Sequence, residues 1–216
     1  MLVIKRVVSN TKTEWTSMDM NDEYCVTSWP EEKPPAGLEN CTDCGLYTHG
    51  SRMIWGEGNP QAPIMILLDN PGAREDRDGN PFVCGTRQTL QKAAQAAGVS
   101  KKDLYVTYVL KRRPTKAYDK VHAREVCMQH LLAQLEDKSP QFVFCLGNVA
   151  THSFFANQDA EVKRLRQVWH SSHGVKTAVS YHPLAVRRRP NLWGPFMEDW
   201  KFVVTAYKME NHNMMR

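Results

Sequence analysis

The chain has 216 residues, 42% of them hydrophobic and 24% charged, which suits one globular domain with a sizeable core. A net charge of +5 is mild basicity, and alone it is weak grounds for a nucleic-acid partner. No apolar run approaches the roughly 20 residues of a membrane helix. The polar start "MLVIKRVVSNTKTEW" does not read as a secretion signal, so the expected setting is cytoplasmic, with no membrane partner.

Residues 1–38 read as an N-terminal extension that ends in the Pro-rich connector "WPEEKPPAG", and residues 39–216 as a single domain. The run 64–68 predicts a buried strand, 86–97 a helix stopped by Gly98, and 104–110 a second strand. Residues 122–136 predict an amphipathic helix with Val126, Leu131, Leu132 and Leu135 on its apolar face. A strand at 142–146 and a helix at 148–155 follow, the helix starting just after Gly147. A short strand at 177–180 precedes a last helix at 192–207, where Trp193, Phe196, Trp200, Val203 and Tyr207 recur at helical spacing and read as core. Strand and helix alternate in this way in a parallel α/β sheet covered on both faces. The fold class expected is therefore α/β.

In such sheets ligands bind beyond the carboxyl ends of the strands. Three unusual loops fall there. The first, "DNPGAREDRDGNPFVCG", carries Asp69, Asn70, Glu75 and Asp76, and then Phe82. The second is "KRRP", with Lys111, Arg112 and Arg113; the third is "YHPLAVRRRP", with Arg187, Arg188 and Arg189. Both arginine clusters sit where loops present charge to a phosphate backbone. The six cysteines are Cys25, Cys41, Cys44, Cys84, Cys127 and Cys145. In a cytosolic chain they suit metal binding, catalysis or burial better than disulfides. Cys41 and Cys44 form a CxxC pair, and Cys145, in "QFVFCLG", reads as core.

In order along the chain, "CTDCGL", "GEGNPQAPIMILLDNPGAREDRDGNPFV", "LYVTYVLKRRP", "VFCLGNVA" and "YHPLAVRRRP" resemble the motifs of the uracil-DNA glycosylase superfamily. The likeness is greatest to its iron–sulfur branch, family 4. The resemblance implies a three-layer α/β/α fold with a central, mainly parallel four-stranded sheet. It also implies a monofunctional DNA glycosylase, expected as a monomer with DNA as its partner: a base is flipped from DNA and its N-glycosidic bond hydrolysed, leaving an abasic site. Unstacking the base costs a few kcal/mol, which stacking and hydrogen bonds in the pocket offset. The transition state would resemble a sugar oxocarbenium ion with an anionic leaving base.

By the same resemblance, Phe82 stacks on the flipped base, and Glu75 either positions water or ties down the loop. His182 donates a hydrogen bond to the base O2 as negative charge builds there. Asp69-Asn70 stands where the branch has Glu-Ala, and "NPG" is similar to the thymine and mismatch-uracil branch, whose asparagine orients the attacking water. Asn70 is accordingly the expected water-positioner, with Asp69 either a base or a brace for the turn. Tyr108 replaces an asparagine that reads the uracil edge with paired hydrogen bonds, and a phenol cannot reproduce that pattern. Cys84 replaces a glycine beside the pocket. These departures leave the substrate as uracil or as a modified or mismatched pyrimidine, including a hypermodified base of viral DNA met in defence.

Family 4 holds a four-iron cluster on four cysteines. Cys41, Cys44 and Cys127 match three of them, and Arg112 stands at the other position; Cys25 is the substitute of choice, ahead of His122 and His130. A zinc ion on such thiols, or no metal, are the alternatives. The remaining expectations concern DNA contact. Lys111, Arg112, Arg187, Arg188 and Arg189 would contact phosphates, and Leu184 would be either a wedge in the vacated stack or a buried leucine. A non-catalytic, metal-containing binder of damaged or modified DNA is the other functional class considered.

Overall fold

The structure, a computed structural model, describes residues 27–76 and 85–214. Its strands are β1 (Glu31–Glu32), β2 (Gly56–Gly58), β3 (Ile64–Leu68), β4 (Leu104–Tyr108), β5 (Phe142–Leu146), β6 (His170–Ser172) and β7 (Val175–Ser180). Its helices are α1 (Gly85–Ala96), α2 (Lys120–Lys138), α3 (Asn148–Phe155), α4 (Val162–Leu165), α5 (Pro183–Arg188) and α6 (Trp193–Met214). The strands form one sheet in the order β1-β2-β4-β3-β5-β7-β6. The four central strands, β4, β3, β5 and β7, run parallel. The short outer strands β1, β2 and β6 pair antiparallel. This is the expected parallel four-stranded centre, extended at both edges.

The central strands are buried along their whole length in β3, β4 and β5, so they read as apolar runs and not as alternating ones. One face packs Ile64, Ile66, Val106, Phe142 and Phe144 against α1 and α6, through Leu90, Phe196, Trp200 and Val203. The other packs Met65, Leu67, Val143 and Cys145 against Leu131 of α2 and Ala150 and Phe154 of α3. Helices on both faces complete the three layers. The α6 aromatic stripe is core, as its spacing predicts, with Phe196 and Trp200 fully buried.

Residues 27–38 contribute to the domain. Trp29 joins the core and Glu31–Glu32 adds the edge strand β1. The buried face of α2 also differs from expectation. It runs Ala123, Cys127, Leu131, Gln134 and Lys138, while Leu132 is 37% exposed. Hydropathy hides this face because two of its members are polar and are satisfied inside. Gln134 bonds to the carbonyl of Trp55 and the hydroxyls of Tyr105 and Thr107, and Lys138 pairs with Glu32.

Among the described residues, no helix is long and apolar enough to cross a membrane.

Candidate active site

The parallel centre points the carboxyl ends of β3, β4, β5 and β7 the same way, and the site is built on that rim. The ladder between β3 and β4 continues past the strands. Val109 N–H donates to the Leu68 carbonyl and Leu110 N–H to that of Asp69, which fixes the backbone entering the loop. Asp69 accepts the Asn70 N–H at 2.8 Å, and the Asn70 amide nitrogen donates to the Pro71 carbonyl at 2.8 Å. That bond uses one of the two amide N–H groups and leaves the Asn70 carbonyl oxygen as an acceptor.

β7 ends two residues before His182, and β5 lies between β7 and β3 in the sheet. His182 nevertheless reaches Asp69, with Nε2 3.4 Å from Oδ1. The crossing is possible because β5 ends at Gly147. A Cβ there would stand 2.8 Å from the His182 Cβ, and its φ of +98° is a region that glycine adopts without strain. His182 Nδ1 accepts the Leu184 N–H at 3.1 Å as the cap of α5, which leaves the ring proton on Nε2, facing Asp69. Burial acts to raise the Asp69 pKa, but the His182 contact and the Asn70 N–H outweigh it, and the carboxyl sits below its ordinary range. It is a carboxylate at neutral pH.

Glu75 is buried against the turn: a Cβ on Gly72 would lie 2.5 Å from its Oε2. It pairs with Arg87 at 3.4 Å, and its carbonyl accepts a bond from Arg52. Of its two expected roles, the geometry matches the loop brace. Tyr108 lies beside Leu68 in the ladder, one residue from Asp69, and is only 2% exposed. Burial, with the nearby Glu57 charge, pushes its hydroxyl pKa up, and the neighbouring Arg87 cation pulls back part of the rise. Arg87, on the first turn of α1, also holds Glu57 at 2.7 Å. Sequence reading passed over Arg87 and Glu57. An arginine in the polar helix start "GTRQT" reads as surface, and a lone Glu between two glycines was the only signal. Phe82, Cys84 and Cys25 lie outside the described residues.

Two expected DNA contacts are corrected. Lys111 is fully buried; its ammonium donates to Thr107, Gln134 and the Tyr108 carbonyl, and burial pushes its pKa down to about 7. Arg112 is 9% exposed and donates to the carbonyls of Ser51 and Glu39 at 2.6 Å each. Both cations are turned inward, Arg112 onto carbonyls of the 39–51 segment and Lys111 onto polar groups of β4 and α2. Arg187, Arg188 and Arg189 are exposed along α5 and just after it. Leu184 is half-buried on the first turn of the same helix.

The described residues do not by themselves fit a four-iron cluster. Cys41 Sγ lies 3.4 Å from His130 Nε2, while Cys44 packs beside the buried Cys127. The neighbouring Cys127, the Leu46 N–H and the Arg112 charge favour the Cys44 thiolate, whereas Cys44 and burial push the Cys127 thiol up. The remaining family position is taken by the Arg112 guanidinium, which cannot ligate a metal. Among the described residues, no three His, Cys, Asp or Glu side chains gather as a metal set.

Residues 55–205 match the family model described as Uracil DNA glycosylase superfamily. The chain belongs to that superfamily. Among curated proteins, the Type-4 uracil-DNA glycosylase of Archaeoglobus fulgidus is 32% identical over 76% of this chain and 86% of its own length. The protein of the same name from Pyrobaculum aerophilum is 30% identical over 75% of this chain and 87% of its own. A solved structure titled as wild-type Pedobacter heparinus SMUG2 aligns with a TM-score of 0.47 and 13% identity, covering 86% of this chain and 93% of that one. Superfamily membership agrees with the motifs that the sequence carries in order, and the matched span contains both Asp69 and His182.

Proposed function

We propose that the chain is a monofunctional, monomeric DNA glycosylase of the cytoplasm that everts a pyrimidine and hydrolyses its N-glycosidic bond. The observation that carries this reading is the meeting of Asp69, Asn70 and His182 on one rim across β5. The names of the relatives support uracil as one substrate. A modified or mismatched pyrimidine is supported by Tyr108, whose phenol lacks the paired donor and acceptor of an amide.

In this mechanism the Asn70 carbonyl oxygen and the Asp69 carboxylate hold one water in line with C1′ of the sugar. As the C1′–N1 bond breaks, its electron pair leaves with the base. The water oxygen bonds to C1′ and its proton passes to Asp69. The His182 Nε2–H, held only loosely by Asp69 at 3.4 Å, donates to the O2 of the departing base and stabilises its charge. Arg187, Arg188 and Arg189 hold phosphates, Leu184 fills the vacated stack and Phe82 stacks on the base. No step passes through a metal. The four-iron cluster completed by Cys25, or zinc on the same thiols, would be a structural group far from the bond broken, and iron and zinc analysis of protein prepared without air tests for it.

The deciding experiment is a base panel. Duplex and single-stranded oligonucleotides carrying uracil, G·T mismatches or 5-substituted cytosines are incubated with the protein and then treated with alkali. Breaks at the test base support the reading, and their loss in Asn70→Ala ties them to this site. Retention of intact strands in a stable complex would replace it with the non-catalytic binder.

A further inference from the structure

Arg112 stands at the place where the resemblance to the iron–sulfur branch expects the remaining cluster cysteine. It is a buried cation, which is costly unless its N–H groups meet acceptors. Nη1 donates to the Ser51 carbonyl and Nη2 to the Glu39 carbonyl, at 2.6 Å each. These two carbonyls bracket the segment 39–51, which carries Cys41 and Cys44. The planar fork of a guanidinium suits such a span, because one rigid group reaches both acceptors.

The grip continues on either side of Arg112. Ile54 N–H donates to the Lys111 carbonyl at 2.8 Å, Met53 pairs with Arg112 as an antiparallel bridge, and the Ser51 hydroxyl donates to the Arg113 carbonyl at 2.8 Å. Arg52 then carries the tie to the loop after β3. Its backbone N–H donates to Asp76 at 2.9 Å and its guanidinium to the Glu75 carbonyl at 2.6 Å. Behind these bonds the interior is apolar: Leu46, Leu110, Ala123 and Cys127 pack together, with Cys44 and Tyr118 against them. Cys41 instead faces His130, at 3.4 Å. A cluster on four thiolates would cross-link the CxxC segment, the end of β4 and α2. The same three segments are already joined, the first two by the Arg112 fork and the third by the packing of Cys127 with Leu46 and Leu110.

We infer that Arg112 replaces the metal cluster in this chain: its guanidinium clamps the 39–51 segment to the end of β4, and the protein folds as a metal-free member of the superfamily. Cys25 then has no cluster to complete. The inference rests on superfamily membership and not on base excision, so its failure would leave the glycosylase reading standing.

The test uses the full chain, expressed with iron and cysteine in excess and purified without air. Iron, zinc and acid-labile sulfide are measured, and Tm is read with and without a chelator. Wild type should carry well under one metal atom per chain and keep its Tm in chelator. Arg112→Ala should lower Tm by about 6–12 °C, the loss expected when two carbonyls in a chain of this size lose a buried cationic donor. Arg112→Cys, prepared in the same way, supplies the remaining thiolate and should turn brown, with about four irons and four sulfides per chain. Stoichiometric iron or zinc in wild type would overturn the inference. So would an Arg112→Ala protein as stable as wild type, or an Arg112→Cys protein that takes up no iron. Should Arg112→Ala fail to fold, the double variant Cys41→Ser/Cys44→Ser decides in its place. A Tm within about 3 °C of wild type supports the clamp, since those thiols then hold nothing, and a larger fall would overturn it.

Discussion

Glu57→Gln should make thermal stability less sensitive to rising pH. Glu57 is 3% exposed, and burial drives its pKa up from an ordinary 4.5 to about 7, with Arg87 pulling back only part of the rise. Below pH 4.5 the carboxyl is protonated whether the chain is folded or not, so it carries no penalty. Between 4.5 and 7 the unfolded chain releases the proton while the folded chain keeps it, and each step upward favours unfolding. Above 7 both forms are ionised and the penalty stays constant. The gap, at about 1.4 kcal/mol per pH unit, amounts to about 3 kcal/mol in full. About 2–3 kcal/mol of it accrues between pH 5 and pH 8. Glutamine does not titrate, and any cost of weakening the Arg87 pair is the same at both pH values because arginine stays charged. At about 2–4 °C per kcal/mol for a chain of this size, the Tm of Glu57→Gln should gain about 5–10 °C on wild type across that range. Scanning calorimetry in matched buffers measures it. Parallel Tm curves for the two proteins would refute a neutral, buried Glu57.

Asn70→Ala should lower excision by about 10²-fold with DNA affinity nearly unchanged, as expected when an attacking water loses its alignment; equal losses of both would argue against water positioning. Because the Asp69 pKa lies below the ordinary carboxylate range, the rate should hold as pH falls through about 4 and decline only in stronger acid, and Asp69→Asn should remove that acid limb from a rate–pH profile. Arg112→Ala should cost about 3 kcal/mol, since it removes a buried cation donating to two carbonyls, with Arg112→Lys recovering little; an unchanged Tm would show that those bonds hold nothing together. Replacing Arg187, Arg188 and Arg189 together by alanine should reduce the slope of log K against log salt by about 2–3, read from binding titrations at several salt concentrations.

The parallel centre of the sheet was legible because strands buried on both faces leave unbroken apolar runs, as in β3 and β5. The strands β1, β2 and β6 were not, because two or three residues such as "EE" or "GEG" carry no period and form only when an edge is available. The rim motifs pointed to Asp69, Asn70 and His182, which the structure brings to one place. The same reasoning failed for Lys111 and Arg112. A cluster of cations looks like a phosphate site in a string of letters, but whether each faces solvent depends on which carbonyls the fold leaves unsatisfied. Arg87 was missed for a related reason: its meaning lies in Glu57, Glu75 and Tyr108, which are 30, 12 and 21 positions away by residue number.

The absent side chain at Gly147 leaves a bare strip between the two halves of the rim. His182 leans across that strip, so the loop carrying Asp69 and Asn70 and the loop after β7 are joined through one imidazole. Any residue larger than glycine there would crowd the His182 Cβ and push the arm back from Asp69. The Asp69–His182 contact is thus registered by an empty volume, which substitutions elsewhere on either loop can leave untouched.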